Sequence, residues 1–127
     1  MRITPLDKLF SEFIRRRAMA RVHGCERCLT GKVDYKELQC SHFWGRKRQL
    51  VRYDEDNSAG LCGACHLYLS ANPSEHTTWF KNHLGEEAFD LLEARASKVG
   101  RPDEAGIALY LKEKIRELRT KGVDVGD

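Results

Sequence analysis

Four cysteines stand in two closely spaced pairs whose spacing is typical of a metal site. Cys25 and Cys28 form one C-x2-C pair, Cys62 and Cys65 form another, and 33 residues separate the two pairs. Two such pairs can supply the four thiolates that enclose a tetrahedral structural Zn²⁺. His23 lies close enough to be an alternative ligand, but four cysteines already fill the site. The sequence therefore predicts a structural zinc ion held by the four cysteines.

Two histidines and an asparagine lie between the pairs or directly after them: His42, Asn57 and His66. Phosphodiester hydrolysis needs a neutral imidazole that takes a proton from water, and a group that holds this imidazole in place. It also needs a divalent cation that neutralises charge on the phosphate. His42 fits the base, and Asn57 fits the orienting group, through its amide or by tying the loop under the strand. His66 fits a ligand of the catalytic cation, because the zinc would fix the neighbouring cysteine and so brace the site.

Each of these three residues also has an ordinary structural interpretation. His42 alone could be a core histidine with satisfied hydrogen bonds. Asn57 could form an Asx turn or a cap, and His66 could be a helix-start histidine beside the zinc. The chemical interpretation therefore depends on the three residues acting as a set.

Charge is distributed unevenly along the chain. Residues 1–52 carry 13 Lys and Arg against 5 Asp and Glu, whereas residues 53–127 carry 9 against 14. A positive field on one side of a protein suits a polyanion, and nucleic acid is the first candidate partner. The alternative is an ordinary solvated surface. The basic residues expected to contact DNA phosphates are Arg15, Arg16, Arg17, Arg46, Lys47, Arg48 and Arg52.

The composition favours a globular protein of the cytoplasm. A chain of 127 residues with 41% hydrophobic and 32% charged residues has the size and composition of one domain. No apolar run approaches the 18 or so residues of a membrane span, and the first residues do not form a signal peptide. We therefore expect no membrane partner and a reducing cytosol, in which paired cysteines favour metal over disulfide.

The elements around these residues predict an α+β fold that is mostly helical. Residues 1–21 read as a basic amphipathic helix, with Thr4 as its N-cap and Pro5 at its first position. Residues 38–43 and 50–53 read as two short antiparallel strands, residues 54–58 as a polar turn, and residues 63–71 as a helix. The predicted core, residues 22–84, is thus a small zinc-braced unit of two strands and a helix.

Further helices are expected to surround this core. Asn72 should cap a helix that starts at Pro73 and ends before Gly85. Another helix should run over residues 86–98, and Asp103 should cap a last one within residues 85–121. The tail, residues 122–127, is expected to fray. The last two helices could form a homodimer interface, or they could cover the core.

The ordered set of motifs resembles the HNH, or ββα-metal, nuclease superfamily in its zinc-braced branch. The matching features are the first cysteine pair, Ser41-His42-Phe43, Asp56-Asn57 and the run Leu61-Cys62-Gly63-Ala64-Cys65-His66. Together with His42-Phe43-x-x-Arg46, Arg52-x-Asp54-x-x-Asn57 and Asn72-x-x-Glu75, they are similar to phage recombination nucleases of the NinG (Rap) type. Those nucleases are taken to cut branched DNA, including Holliday junctions, within the bacterial host cell. The resemblance covers roughly residues 22–95.

The resemblance implies a role for each matching position. His42 falls on the general base, Asn57 on the residue that positions it, and His66 on a ligand of a catalytic divalent cation such as Mg²⁺ or Mn²⁺. The four cysteines fall on the structural zinc. The expected activity is a metal-dependent DNA endonuclease directed by DNA structure, and the alternative is a non-catalytic zinc-braced DNA-binding module.

One position departs from the pattern of many HNH enzymes. They carry an aspartate directly before the base, as a second ligand of the cation, and this chain has Ser41, a poor ligand for Mg²⁺. Nuclease relatives of the NinG type also lack this aspartate. The candidates for the second ligand are Asn72, His76, Asp54 and, first among them, Glu75, because a carboxylate suits a hard cation.

Overall fold

The computed structural model describes residues 2–120. Its first element, α1 (Pro5–Val22), begins as predicted: the Thr4 hydroxyl accepts from the Asp7 amide, and the Asp7 carboxylate accepts from the Thr4 amide. This reciprocal capping box satisfies amides that the first helical turn leaves free. The helix ends at His23, which adopts a left-handed conformation with φ 55°.

The hairpin at the centre of the fold consists of β1 (Gln39–His42) and β2 (Ser58–Leu61), which pair antiparallel. Gln39 lies opposite Leu61 at one end, and His42 lies opposite Ser58 at the other. Helix α2 (Gly63–Ala71) begins two residues after β2. The predicted order of strand, loop, strand and helix is therefore confirmed, and so is the α+β class.

The predicted position of the second strand is wrong. Leu50 and Val51 belong to a 3₁₀ turn, Gln49–Val51, and Val51 packs in a small core cluster with Leu92 and Ala96. A short apolar run fits a buried turn as well as a strand, and its length does not distinguish them. The polar turn expected over residues 54–58 is another 3₁₀ turn, Glu55–Asn57, followed at once by β2.

Close packing against α1 explains the composition of the true second strand. The strand reads Ser-Ala-Gly-Leu, and all four residues are buried. A Cβ atom added at Gly60 would lie 2.7 Å from the Cβ of Ala18 on α1. Small residues let the helix approach the strand, and this requirement overrides the usual preference of strands for β-branched residues.

The remaining helices follow the predicted order. They are α3 (Pro73–Leu84), α4 (Glu86–Ala96) and α5 (Glu104–Thr120). Helix α4 ends two residues earlier than predicted. Asp103 caps α5 through the Gly106 amide at 3.1 Å, as expected. The Asn72 side chain does not cap α3 but donates to the Tyr68 carbonyl at 2.7 Å.

The core forms around the hairpin. Helix α1 packs on both strands and on α5, whereas α2 packs on the hairpin and on α3. Within residues 2–120, no helix has the length and apolar character that crossing a membrane requires. The expected fraying of residues 122–127 concerns a part of the chain outside the described residues.

Candidate metal centre and histidine site

The structure brings the four predicted cysteines together. All four Sγ atoms lie within 4.8 Å of one another, and those of Cys28 and Cys62 are 3.8 Å apart. With zinc–sulfur bonds of about 2.3 Å, a tetrahedral site has sulfur atoms about 3.8 Å apart. The cluster therefore has the ligands and the size to hold one metal ion such as Zn²⁺. His23, the alternative ligand, is not part of it.

Local backbone hydrogen bonds shape both cysteine turns. The Cys28 amide lies 3.5 Å from the Cys25 sulfur, and the Cys65 amide lies 3.4 Å from the Cys62 sulfur. The first turn is tightened at Gly24, where an added Cβ would lie 2.1 Å from the Thr30 oxygen. Cys62 is the N-cap of α2, so the second pair occupies the start of that helix.

A buried carboxylate attaches the first cysteine turn to β2. Glu26 accepts from the Gly60 amide at 2.7 Å, and its own amide donates to the Gly60 carbonyl at 3.0 Å. His83 and Arg21 lie 3.5 Å and 3.4 Å from this carboxylate. Burial favours a raised pKa for Glu26, but hydrogen bonds from His83 and the Gly60 amide bring it below its usual value. No spacing in the sequence predicts this contact between residues 34 positions apart.

His42 is the last residue of β1, and its ring lies against Phe10 of α1 with centroids 5.7 Å apart. Its Nε2 atom is shielded from solvent and has no hydrogen-bond partner within residues 2–120. Burial lowers the pKa of His42 to about 4, and the charge of Arg46 is the second cause of this decrease. A hydrogen bond with the Arg52 backbone has a smaller, opposite effect. The imidazole is therefore neutral at pH 7, as a general base must be.

Asn57 fastens the loop that follows β1. Its Oδ1 accepts from the Trp44 amide at 2.7 Å, and its Nδ2 donates to the carbonyls of Trp44 and Val51 at 2.9 and 3.0 Å. Its backbone carbonyl accepts from the Phe43 amide at 2.8 Å. Of the two ways in which Asn57 could orient the base, the structure has the second: the side chain ties the loop beside His42.

His66 lies in the first turns of α2, with a solvent-shielded Nδ1 that has no partner within the described residues. Its titratable neighbour is His76 on α3, whose pKa is lowered by burial and then by the charge of His66. The His76 ring packs against Phe43 and Phe80, each with centroids 5.2 Å apart.

The proposed ligands of a catalytic cation are not clustered. In residues 2–120, the four-cysteine cluster is the one group of three or more His, Cys, Asp or Glu ligands close enough to share a metal ion, and it contains neither His66 nor Glu75. Glu75 is exposed, and Ser41 is only 2% exposed. The ligand set of that cation thus stays a prediction.

The convergence of all three residues on one site stays a prediction. His42 and Asn57 adjoin at one end of the hairpin, but Asn57 directly precedes β2 instead of following it. The His42 ring packs against Phe10 of α1, and the charge of His66 acts on His76 of α3.

Three of the arginines expected to contact DNA are buried, and this corrects their assignment. Arg17 donates to the carbonyls of Glu55 and Ser58, Arg16 pairs with Glu12, and Arg52 pairs with Asp7. Their guanidinium groups thus bind partners within the protein instead of DNA phosphates. Lys47 and Arg48 are exposed, and Arg15 and Arg46 are half-buried.

The buried pair of Asp7 and Arg52 was also missed from sequence. Two hydrogen bonds of 2.6 and 2.9 Å join the side chains. Burial favours a raised pKa for Asp7, but the bonds with Arg52 and Thr4 bring it well below its usual value. In the sequence, Asp7 is an acidic residue in the first turn of the predicted first helix. No local signal links it to a residue 45 positions away.

Comparisons of the chain with protein-family models, with curated proteins and with solved structures found no match.

Proposed function

We propose that this protein is a metal-dependent DNA endonuclease of the HNH type, with His42 as the general base. The observation that carries the proposal is the environment of His42. Its neutral imidazole has a nitrogen without a partner, and it stands at the end of β1 beside the cation Arg46. A buried polar nitrogen left unpaired costs about 1–3 kcal/mol. A fold that keeps such an atom usually has a use for it.

Each residue then has a task. Nε2 of His42 accepts the proton of the attacking water. Asn57 holds the loop after β1, so that His42 and Arg46 keep their relative positions. Arg46 stabilises charge on the phosphate. A divalent cation, when bound, neutralises the scissile phosphate and the leaving oxygen, and His66 would be its ligand from this chain.

The finer predictions belong to the same proposal. The substrate is branched DNA such as a Holliday junction, cut during phage recombination in the host cytoplasm. A homodimer would suit the twofold symmetry of such a junction.

Cleavage of supercoiled and four-way-junction DNA, with and without Mg²⁺ or Mn²⁺, tests the proposal. We expect His42→Ala to lower the cleavage rate by roughly 10²-fold or more, the usual contribution of a general base. His42→Asn is tested together with a matched control, His23→Asn, which makes the same change at another histidine. The control is suitable because His23 is exposed and Asn tolerates its left-handed conformation. Metal content and circular dichroism should be unchanged in every variant. Normal cleavage by His42→Ala would contradict the assignment of the base.

A second function is favoured by two observations. Ser41 occupies the position of the missing ligand and is buried, and within residues 2–120 neither His66 nor Glu75 belongs to a group of ligands close enough to share a metal ion. A zinc-braced module that binds DNA without cutting it would tolerate both features. It predicts salt-dependent binding and no cleavage with Mg²⁺, Mn²⁺ or Ni²⁺, which the same assay would show.

A further inference from the structure

A cleft of about 430 Å³ runs along the first half of α1, and its lining is unusually rich in charge. Five of its seven lining residues belong to α1, and Arg46 comes from the loop after β1. The cleft is lined by Ile3, Asp7, Lys8, Ser11, Glu12, Arg15 and Arg46.

Each of the two acidic residues of this cleft is paired with an arginine that does not line the cleft. The Asp7 carboxylate is bonded to Arg52, and the Glu12 carboxylate lies 2.9 Å from Arg16. Both arginines are buried. Arg46 lies 3.5 Å from the same Asp7 carboxylate, whereas Lys8 and Arg15 make no ion pair within residues 2–120, so two carboxylates stand against five cations and the potential at the cleft is positive.

The geometry of these three cations suits an extended anion. Lys8 is exposed. The Nε of Arg15 is fixed by bonds of 3.1 Å to the Ser11 carbonyl and hydroxyl, and its guanidinium lies over the Tyr35 ring. Within residues 2–120, the terminal nitrogens of Arg15 make no hydrogen bond. A guanidinium held by its inner nitrogen offers its outer edge to phosphate at low entropic cost.

The cleft adjoins His42. Arg46 and Asp7, which line it, are among the charges that act on the His42 imidazole. Phe10, one turn along α1 from Asp7, is the residue whose ring lies against His42. The cleft therefore lies near the candidate base, which does not itself line it.

We propose that this cleft holds the sugar-phosphate backbone of the DNA strand next to the scissile phosphate, with Lys8 and Arg15 contacting successive phosphates and Arg46 the phosphate nearest His42. The part concerning the scissile phosphate rests on the proposed nuclease function; the DNA contact itself does not. Lys8, Ser11 and Arg15 stand at i, i+3 and i+7, so one face of α1 follows the strand. These contacts position DNA without reading its sequence.

Binding without divalent metal separates this proposal from catalysis. The probes are a labelled four-way junction and a labelled single strand, titrated with protein between 50 and 200 mM salt, with inorganic phosphate as competitor. The plot of log K against log salt has a negative slope, and each lost phosphate contact should make it less steep by about 0.9. This corresponds to roughly an eightfold loss of affinity at 0.1 M salt. We expect this effect for Lys8→Gln and a larger one for Lys8→Glu.

The matched control is Lys81→Gln, an equally exposed lysine on α3, which should change affinity less than twofold. Lys8→Glu leaves the fold intact because an acidic residue near a helix N-terminus is favourable. Arg15→Gln gives a second test within the cleft, with metal content and circular dichroism as checks on folding. Displacement of DNA by millimolar inorganic phosphate alone would indicate a site for free phosphate and would overturn the proposal.

The outcomes also separate the two proposals. If wild type binds and cuts DNA but Lys8 and Lys81 variants bind like wild type, the cleft assignment is wrong and the nuclease stands. If Lys8 and Arg15 variants bind weakly but no protein cuts, the cleft assignment stands and the nuclease proposal fails. If wild type does not bind DNA, both are wrong.

Discussion

The two ends of the β1–β2 hairpin are held together by different chemistry. At the cysteine end, where Gln39 pairs with Leu61, the chain continues directly into Cys62 and the four-cysteine cluster. At the histidine end, where His42 pairs with Ser58, Asn57 and the pair of Asp7 and Arg52 hold the chain. One end depends on ligands for a metal ion, and the other on buried hydrogen bonds and charge. The two ends should therefore fail under different perturbations.

The largest expected effect tests the cysteine end. Cys65→Ser removes a buried ligand, and we expect it to lose the bound metal and several kcal/mol of stability, because a structural zinc contributes folding free energy directly. Metal analysis and thermal unfolding measure both quantities. Cys40→Ser is the matched control: Cys40 lies outside the cluster, so this variant should keep the metal. Full metal content in Cys65→Ser would show that the cluster is not a metal site.

The next effect tests the histidine end. Asp7→Asn removes the carboxylate that pairs with buried Arg52, and breaking such a pair typically costs about 3–5 kcal/mol. Denaturant unfolding measures the loss, and metal content should not change. Asp34→Asn is a suitable comparison, because the Asp34 carboxylate caps the 3₁₀ turn Tyr35–Glu37 but makes no ion pair within residues 2–120; we expect a loss of less than about 1 kcal/mol there. Equal losses in both variants would mean that the pair with Arg52 adds nothing.

The same contrast explains what the sequence could predict. The cysteine pairs were predicted correctly because a metal site leaves its signature in short-range spacing, and α1 was predicted from its Thr4-Pro5 start and apolar stripe. The pair of Asp7 and Arg52 spans 45 positions and leaves no such signature. The burial of Arg16 and Arg17 was missed for the same reason, because basic residues are exposed by default.

The displaced second strand shows a related limit. Ser58–Leu61 is a strand because α1 packs against Gly60, and no property of the four residues alone predicts that contact. One signal was nevertheless available for the charged cleft. Lys8, Ser11 and Arg15 recur at helical spacing on the polar side of α1, and of these three only Arg15 was predicted to contact DNA.

The smallest expected effect concerns His42 and sharpens the description of the histidine end. Its pKa is about 4 in the folded protein against 6.5 for the free side chain, so the unfolded chain takes up a proton first as the pH falls. Stability is therefore complete above about pH 6.5 and decreases towards pH 4, by at most about 3 kcal/mol from this residue. In His42→Gln this contribution is absent. The difference between the two unfolding curves isolates it, because loss of metal at low pH and protonation of His76 affect both proteins. Curves that stay parallel from pH 7 to pH 4.5 would mean that His42 is solvated in the folded protein, which would exclude the buried, unpaired imidazole nitrogen on which the proposed base depends.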